Sequence, residues 1–227
     1  ENFQQVLAIA RRLGTENVIA TSLNNIGTVY FVWGQNDKAI ENFQQALAIA
    51  RRLGTEKNIA LNLNNIGLVY NDWGQYDKAI ENFQQALTLF RKLGNEDGIA
   101  SSFSSIGRAY ESLGQYDKAM ESFQQALAIA RRLGTEDLIA TSLNYIGWGY
   151  LRWGRYDKAI ENFQQSLAIV RRLGREDQVA AVLGNFGKAY YGQQQYVPAI
   201  KYLIESIEVT EKLRKTATGN ARRDYLA

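Results

Sequence analysis

Asp77 and Glu81 stand four residues apart, one helical turn, and the same acid pair returns at Asp37/Glu41, Asp117/Glu121 and Asp157/Glu161. Two carboxylates are the groups that general acid and base catalysis uses. Their return in nearly every copy argues for helix-start electrostatics instead, because acids there complement the helix dipole and a catalytic site is rarely replicated along a chain. Basic doublets recur in the same way, at Arg11-Arg12, Arg51-Arg52, Arg91-Lys92, Arg131-Arg132 and Arg171-Arg172. Such a ladder could face an acidic partner or a nucleic acid. Each doublet adjoins acids such as Glu56 or Glu136-Asp137. Doublets two helices apart are also about 20 Å from one another, far sparser than a phosphate backbone. Nucleic acid is therefore not an expected partner. A third set is polar and uncharged: Asn24-Asn25 and Asn64-Asn65, with Ser104-Ser105, Asn144-Tyr145 and Gly184-Asn185 at matching positions. An amide both donates and accepts, so a row of them can hold a peptide backbone whatever its sequence. The same amides could equally be solvated, or bond to the adjacent helix.

Other chemistry is removed by composition. The chain has no histidine and no cysteine, so the commonest general base, the commonest metal ligand and every thiolate site are missing. No G-x-x-x-x-G-K-[ST] loop occurs to cradle a phosphate. An enzyme is not expected, nor a metal or cofactor. No apolar run approaches the roughly 18 residues that span a bilayer, so no membrane association is expected. A net charge of +3 is too small to argue for nucleic acid. The lack of cysteine suits a reducing compartment, and a cytoplasmic location is the expectation. The chain begins at Glu1 inside a repeat, as a fragment of a longer protein would.

The elements that position these residues repeat every 40 positions: Asn42–Leu47 returns as Asn82–Leu87, Ser122–Leu127 and Asn162–Leu167. Within one unit, Leu63, Ile66, Tyr70 and Trp73 lie on one helical stripe. Gly74-Gln75 breaks the pattern, and a second stripe runs through Ala79, Ile80, Phe83, Ala86, Leu87 and Phe90. Gly94 ends it as a left-handed cap, and Asn95 or Thr55 can cap the helix that follows. The pattern predicts a leftover helix at 1–13, then helical hairpins at about 15–54, 55–94, 95–134, 135–174 and 175–215. The segment 216–227 reads as a tail that starts a truncated further helix. Trp33, Trp73 and Trp153 fall on the core stripe and are expected to pack. In the last hairpin Gln194 replaces a glycine, and Val197-Pro198 replaces Asp-Lys.

Leu63-x2-Ile66-Gly67-x2-Tyr70 followed by Ala79-x3-Phe83 resembles the tetratricopeptide repeat. Matching sets stand at Leu23, Ile26, Gly27, Tyr30, Ala39 and Phe43, and at Leu143, Ile146, Gly147, Tyr150, Ala159 and Phe163. The glycine and the alanine let the paired helices approach closely. Two departures, arginine where the family has a proline (Arg51, Arg131, Arg171) and a unit about six residues longer, make the array similar to the longer-repeat branch of kinesin light chains and bacterial signalling arrays.

The resemblance implies an all-α, right-handed superhelical solenoid of antiparallel helix pairs, with a concave groove that holds an extended segment or helix of a protein or peptide. Candidate groove residues are Asn24, Asn25, Asn64, Asn65, Leu68, Arg108, Asn144, Tyr145, Trp148, Arg152, Asn185 and Lys188. One groove position varies as Thr28, Leu68, Arg108, Trp148 and Lys188 while core positions barely change, which either ligand contact or drift on a solvent face produces. Tyr145, Trp148 and Leu151 would form an exposed aromatic and aliphatic patch beside Arg108 and Arg152. A structural spacer, or a module that self-associates end to end with an empty groove, is the alternative. Glu211-Lys212-Leu213-Arg214 followed by residues 218–226 resembles the segment closing cyanobacterial arrays ahead of a caspase-like domain, which would make this array the recognition or regulatory arm of a larger signalling protein.

Overall fold

The computed structural model describes residues 2–226, with side chains over 3–217. The side chains of the 218–226 motif lie outside them. By internal contacts the chain divides into two compact units, Glu1–Gln115 and Tyr116–Ala227. The first holds α1 (Asn2–Leu13), α2 (Glu16–Val32), α3 (Asn36–Arg52), α4 (Glu56–Asp72), α5 (Tyr76–Lys92) and α6 (Glu96–Ser112). The second holds α7 (Tyr116–Leu133), α8 (Glu136–Arg152), α9 (Tyr156–Arg172), α10 (Glu176–Gly192) and α11 (Tyr196–Leu226). The fold is all-α: within each unit, consecutive helices joined by short turns pack side by side as antiparallel neighbours.

The turns explain the regular spacing. Gly54 has φ +68°, and Thr55 N–H donates to the Ala50 carbonyl at 3.0 Å. Gly74 has φ +74°, and Gln75 N–H donates to the Tyr70 carbonyl at 2.8 Å. This bond from the residue after a left-handed glycine back into the last turn satisfies carbonyls that the helix itself leaves open. Gln194 takes the same conformation, φ 62°, without being glycine. The caps divide. Asn95 accepts from Gly98 N–H at 3.1 Å, as expected of an N-cap. Thr55 does not cap; its hydroxyl donates backwards to Ala50 O at 3.3 Å.

The core follows the two stripes. Phe43, Phe83, Phe123 and Phe163 are all at most 1% exposed. A Cβ added to Gly67 would sit 2.6 Å from the Phe83 ring, and one on Gly147 would sit 2.6 Å from Phe163. The bare glycine backbone is thus what the phenylalanine of the paired helix packs on.

Two sequence expectations need correction. Trp33 is 65% exposed and Trp73 44% exposed, so neither is a core residue. Helix geometry places both one residue past the last helical turn, at the C-cap, where the side chain swings toward the turn edge. Trp153 is half-buried, yet among rings: Tyr150 at 6.4 Å and Tyr116 at 5.9 Å. The last helix also differs. α11 does not close near 215 but continues to Leu226, because Arg214 replaces the glycine that ends the equivalent helices at 54, 94, 134 and 174.

Candidate functional site

In the first unit α2 touches α4 and α4 touches α6, so the first helices of successive hairpins form one face. Asn65 Nδ2 donates to Asn24 Oδ1 at 2.9 Å across that contact. Asn25 and Asn64 are half-buried beside them. The Oδ1 atoms of Asn64 and Asn71 are buried and accept no hydrogen bond. The residue that stands to Asn64 as Asn65 stands to Asn24 is Ser105, too short to repeat the amide-to-amide bond. Leu68 is half-buried, and Arg108 is exposed on α6.

The second unit repeats the pattern on α8 and α10. Asn185 Nδ2 donates to Asn144 Oδ1 at 3.1 Å. One turn further along the same two helices, Lys188 places Nζ 4.9 Å from the centre of the Trp148 ring. An ammonium over an indole face is attracted by the ring quadrupole and shields it from water. Trp148 and Leu151 pack against the core cluster around Phe163 and Phe186. Tyr145 is half-buried and stacks on Phe123 at 5.8 Å and 17°. The exposed aromatic patch expected here is therefore half-covered: Tyr145 faces α7, and Trp148 lies under Lys188. Arg152 and Lys188 are the exposed cations of this face.

The basic doublets are tied up as a ladder. Arg52 pairs with Glu16 at 2.7 Å, Arg172 with Glu136 at 2.7 Å and Lys212 with Glu176 at 3.3 Å, while Lys92 pairs with Glu56. In each case the base reaches the first acid of the first helix of its own hairpin. Arg175 binds Asp137 through Nε at 2.8 Å and a second nitrogen at 3.2 Å; that bond, then the carboxylate charge, raise the Arg175 pKa above its usual value.

Sequence reasoning missed the concavities of the surface, two of them in the first unit. One, of about 480 Å³, lies between α3 and α5, with Leu63, Ile66 and Tyr70 of α4 at its floor and Arg51, Lys78 and Glu81 on its walls. The other, of about 300 Å³, is formed by the turn residues Gly34–Lys38 and closed by Trp73. The residues between α3 and α5 that are exposed and polar, Gln44 and Gln85, read in sequence as ordinary solvent-facing positions. Only the separation of the two helices turns that surface into a groove.

Comparison with known proteins gives one family. The family model described as tetratricopeptide repeat matches residues 1–52, 58–132, 99–172 and 138–212. No curated protein matches. Among solved structures, BtubC (BKLC) from P. vanneervenii superposes with a TM-score of 0.78 at 19% identity, covering 94% of this chain and 90% of that one. A Rap protein complexed with Competence and Sporulation Factor gives 0.78 at 19%, covering 86% of this chain and 54% of its own. A kinesin light chain from Podosopora anserina with nearly identical TPR-like repeats gives 0.66 at 21%, covering 85% and 95%. At these identities the likeness is one of fold.

Proposed function

The chain belongs to the tetratricopeptide repeat family, and from that premise we propose that it captures an extended segment or helix of a partner protein on the face built by its first helices. The observation that carries this reading is the arrangement on α8 and α10: the Asn144–Asn185 amide pair, and beside it Trp148 under Lys188. One amide-to-amide bond uses part of the capacity of two asparagines, each of which has two N–H groups and a two-lone-pair oxygen. The bond fixes the amides in place and leaves groups for a peptide backbone. Lys188 can leave the Trp148 ring to meet an anionic group of the ligand, opening an indole face to its apolar part. The same construction begins in the first unit at Asn24–Asn65, with Asn25, Asn64 and Leu68 along the same two helices and Arg108 on α6. That a related fold, the Rap protein, was solved in complex with a factor supports a binding role for such a scaffold. A recognition or regulatory arm is the context that suits it.

The test is affinity capture from source-cell lysate with the chain and with a variant carrying Arg108→Glu and Lys188→Glu. Both side chains are exposed, so helicity by circular dichroism should not change. Loss of a specific partner with the variant is the expected result. A partner recovered equally by both chains would place binding away from this face.

A further inference from the structure

The outer side of α11 carries an apolar stripe that stands exposed among the described residues. Val197 is 82% exposed, Ile200 58%, Ile204 51% and Ile207 61%, at successive steps of 3, 4 and 3 residues. Leu203 and Tyr196 widen it, and Tyr191 stands edge-on to Tyr196 at 5.8 Å. Part of this is what a stripe without a following hairpin shows: the residues equivalent to Ile200 and Ile207 are Ile40, Ile80, Met120 and Ile160, and Leu47, Leu87, Leu127 and Leu167, all at most 8% exposed beneath the next helix except the half-buried Ile160. The rest is not. The positions equivalent to Val197 are Asp37, Asp77, Asp117 and Asp157, and those equivalent to Ile204 are Gln44, Gln84, Gln124 and Gln164. All eight are exposed and polar. In α11 alone they are aliphatic, so the stripe becomes a continuous seam of 3-4 spacing, the pattern that packs helix against helix.

The usual cover is also missing. In the other hairpins a left-handed glycine turns the chain so that the next first helix lies on this stripe. At the equivalent position α11 has Arg214 and runs straight on. The seam is therefore not closed by the repeat's own turn.

We propose that α11 pairs with α11 of a second copy, antiparallel about a two-fold axis near Ile204. An isologous pairing suits a stripe that is complementary to itself. Its charges suit it too: Lys201 and Glu208 are both exposed along one flank of the seam, so an axis near Ile204 sets Lys201 of each copy toward Glu208 of the other. A stable interface takes roughly 800 Å² from each partner. Four exposed aliphatic residues, Leu203, and the tyrosine pair 191 and 196 offer area of that order. This closed pairing is independent of the ligand face on the first helices, and it differs from end-to-end stacking because it stops at two chains.

The experiment is the molar mass of the whole chain by sedimentation across micromolar concentrations, beside the variant Val197→Asp/Ile204→Gln. That variant carries the residues the other repeats hold at these positions, so its helicity should be unchanged. The expected result is two chains for the original and one for the variant. Lys201→Glu should weaken the dimer several-fold, and adding Glu208→Lys should restore it. A single chain throughout, a variant as dimeric as the original, mass growing beyond two chains, or no restoration by the charge exchange would each overturn the proposal.

Discussion

Gly67 is conspicuous because its neighbours leave no room for anything larger. Alanine there would push a methyl into the Phe83 ring, 2.6 Å from the nearest carbon, and both elements are fixed by packing on either side. Overpacking of this kind costs about 1–3 kcal/mol, so Gly67→Ala should lower the urea midpoint accordingly. Unchanged stability would mean that the helices separate easily. Gln194 offers the opposite change. It holds φ 62° with a Cβ, a strain of roughly 1–2 kcal/mol for an ordinary residue, and Gln194→Gly should recover about 1 kcal/mol of it. Tyr190 gives a pH signature: burial first, then Tyr202 stacked at 5.5 Å, hold its phenol above the ordinary value of 10.0. Folding thus favours the neutral ring. Its contribution is whole below the unfolded pKa near 10 and is lost as pH rises through the raised folded value. Thermal melting should fall above pH 10 less steeply in Tyr190→Phe, and identical slopes would contradict this. At this scale the sequence was legible where packing is periodic, as at Gly67 and Phe83. It misled at Trp33 and Trp73, because periodicity does not reveal the residue at which a helix ends.

Among elements, two kinds of rung cross between helices: ion pairs tie the two helices of one hairpin, and amide pairs tie the first helices of successive hairpins. The ion pairs Arg52–Glu16, Lys92–Glu56, Arg172–Glu136 and Lys212–Glu176 all span 36 residues, and their basic partners are more than half exposed. Exposed pairs contribute at most about 0.5 kcal/mol each, and salt screens them. The amide pairs Asn24–Asn65 and Asn144–Asn185 are half-buried, and removing one partner strands the other away from water. Asn185→Ala should therefore cost about 1 kcal/mol, more than Arg172→Ala. Urea denaturation of the two variants ranks them, and the reverse order would make the ion ladder the stronger rung. Neighbouring acids could be seen to neutralise the doublets from sequence alone. Which base reaches which acid could not, since the partners lie on different helices. The asparagines were legible as a row, but the choice between solvent, ligand and neighbouring helix depends on the distance between α2 and α4, or α8 and α10.

For the whole chain, stability in a repeat array is a sum of hairpin and nearest-neighbour terms. Contacts within each unit have the short range such a sum requires: α2–α4, α4–α6 and α8–α10 are the furthest-reaching helix pairs, and α1 touches α2 alone among the described residues. Damage should therefore stay local. Gly147→Ala drives a methyl toward Phe163 and should lower amide-exchange protection in α8 and α9, with a smaller effect in α10. The helices α2 to α5 should keep theirs, while Gly67→Ala should do the converse. Hydrogen exchange read by mass spectrometry resolves the two patterns helix by helix under native conditions. Uniform loss of protection in both variants would mean that the chain opens only as a whole. α1 should exchange fastest in either background, since it is the shortest of the described helices, 12 residues, and one neighbour holds it. Contact range alone sets how far damage spreads, which is why a 40-residue period in the sequence is enough to anticipate the pattern although it cannot say where the compact units divide.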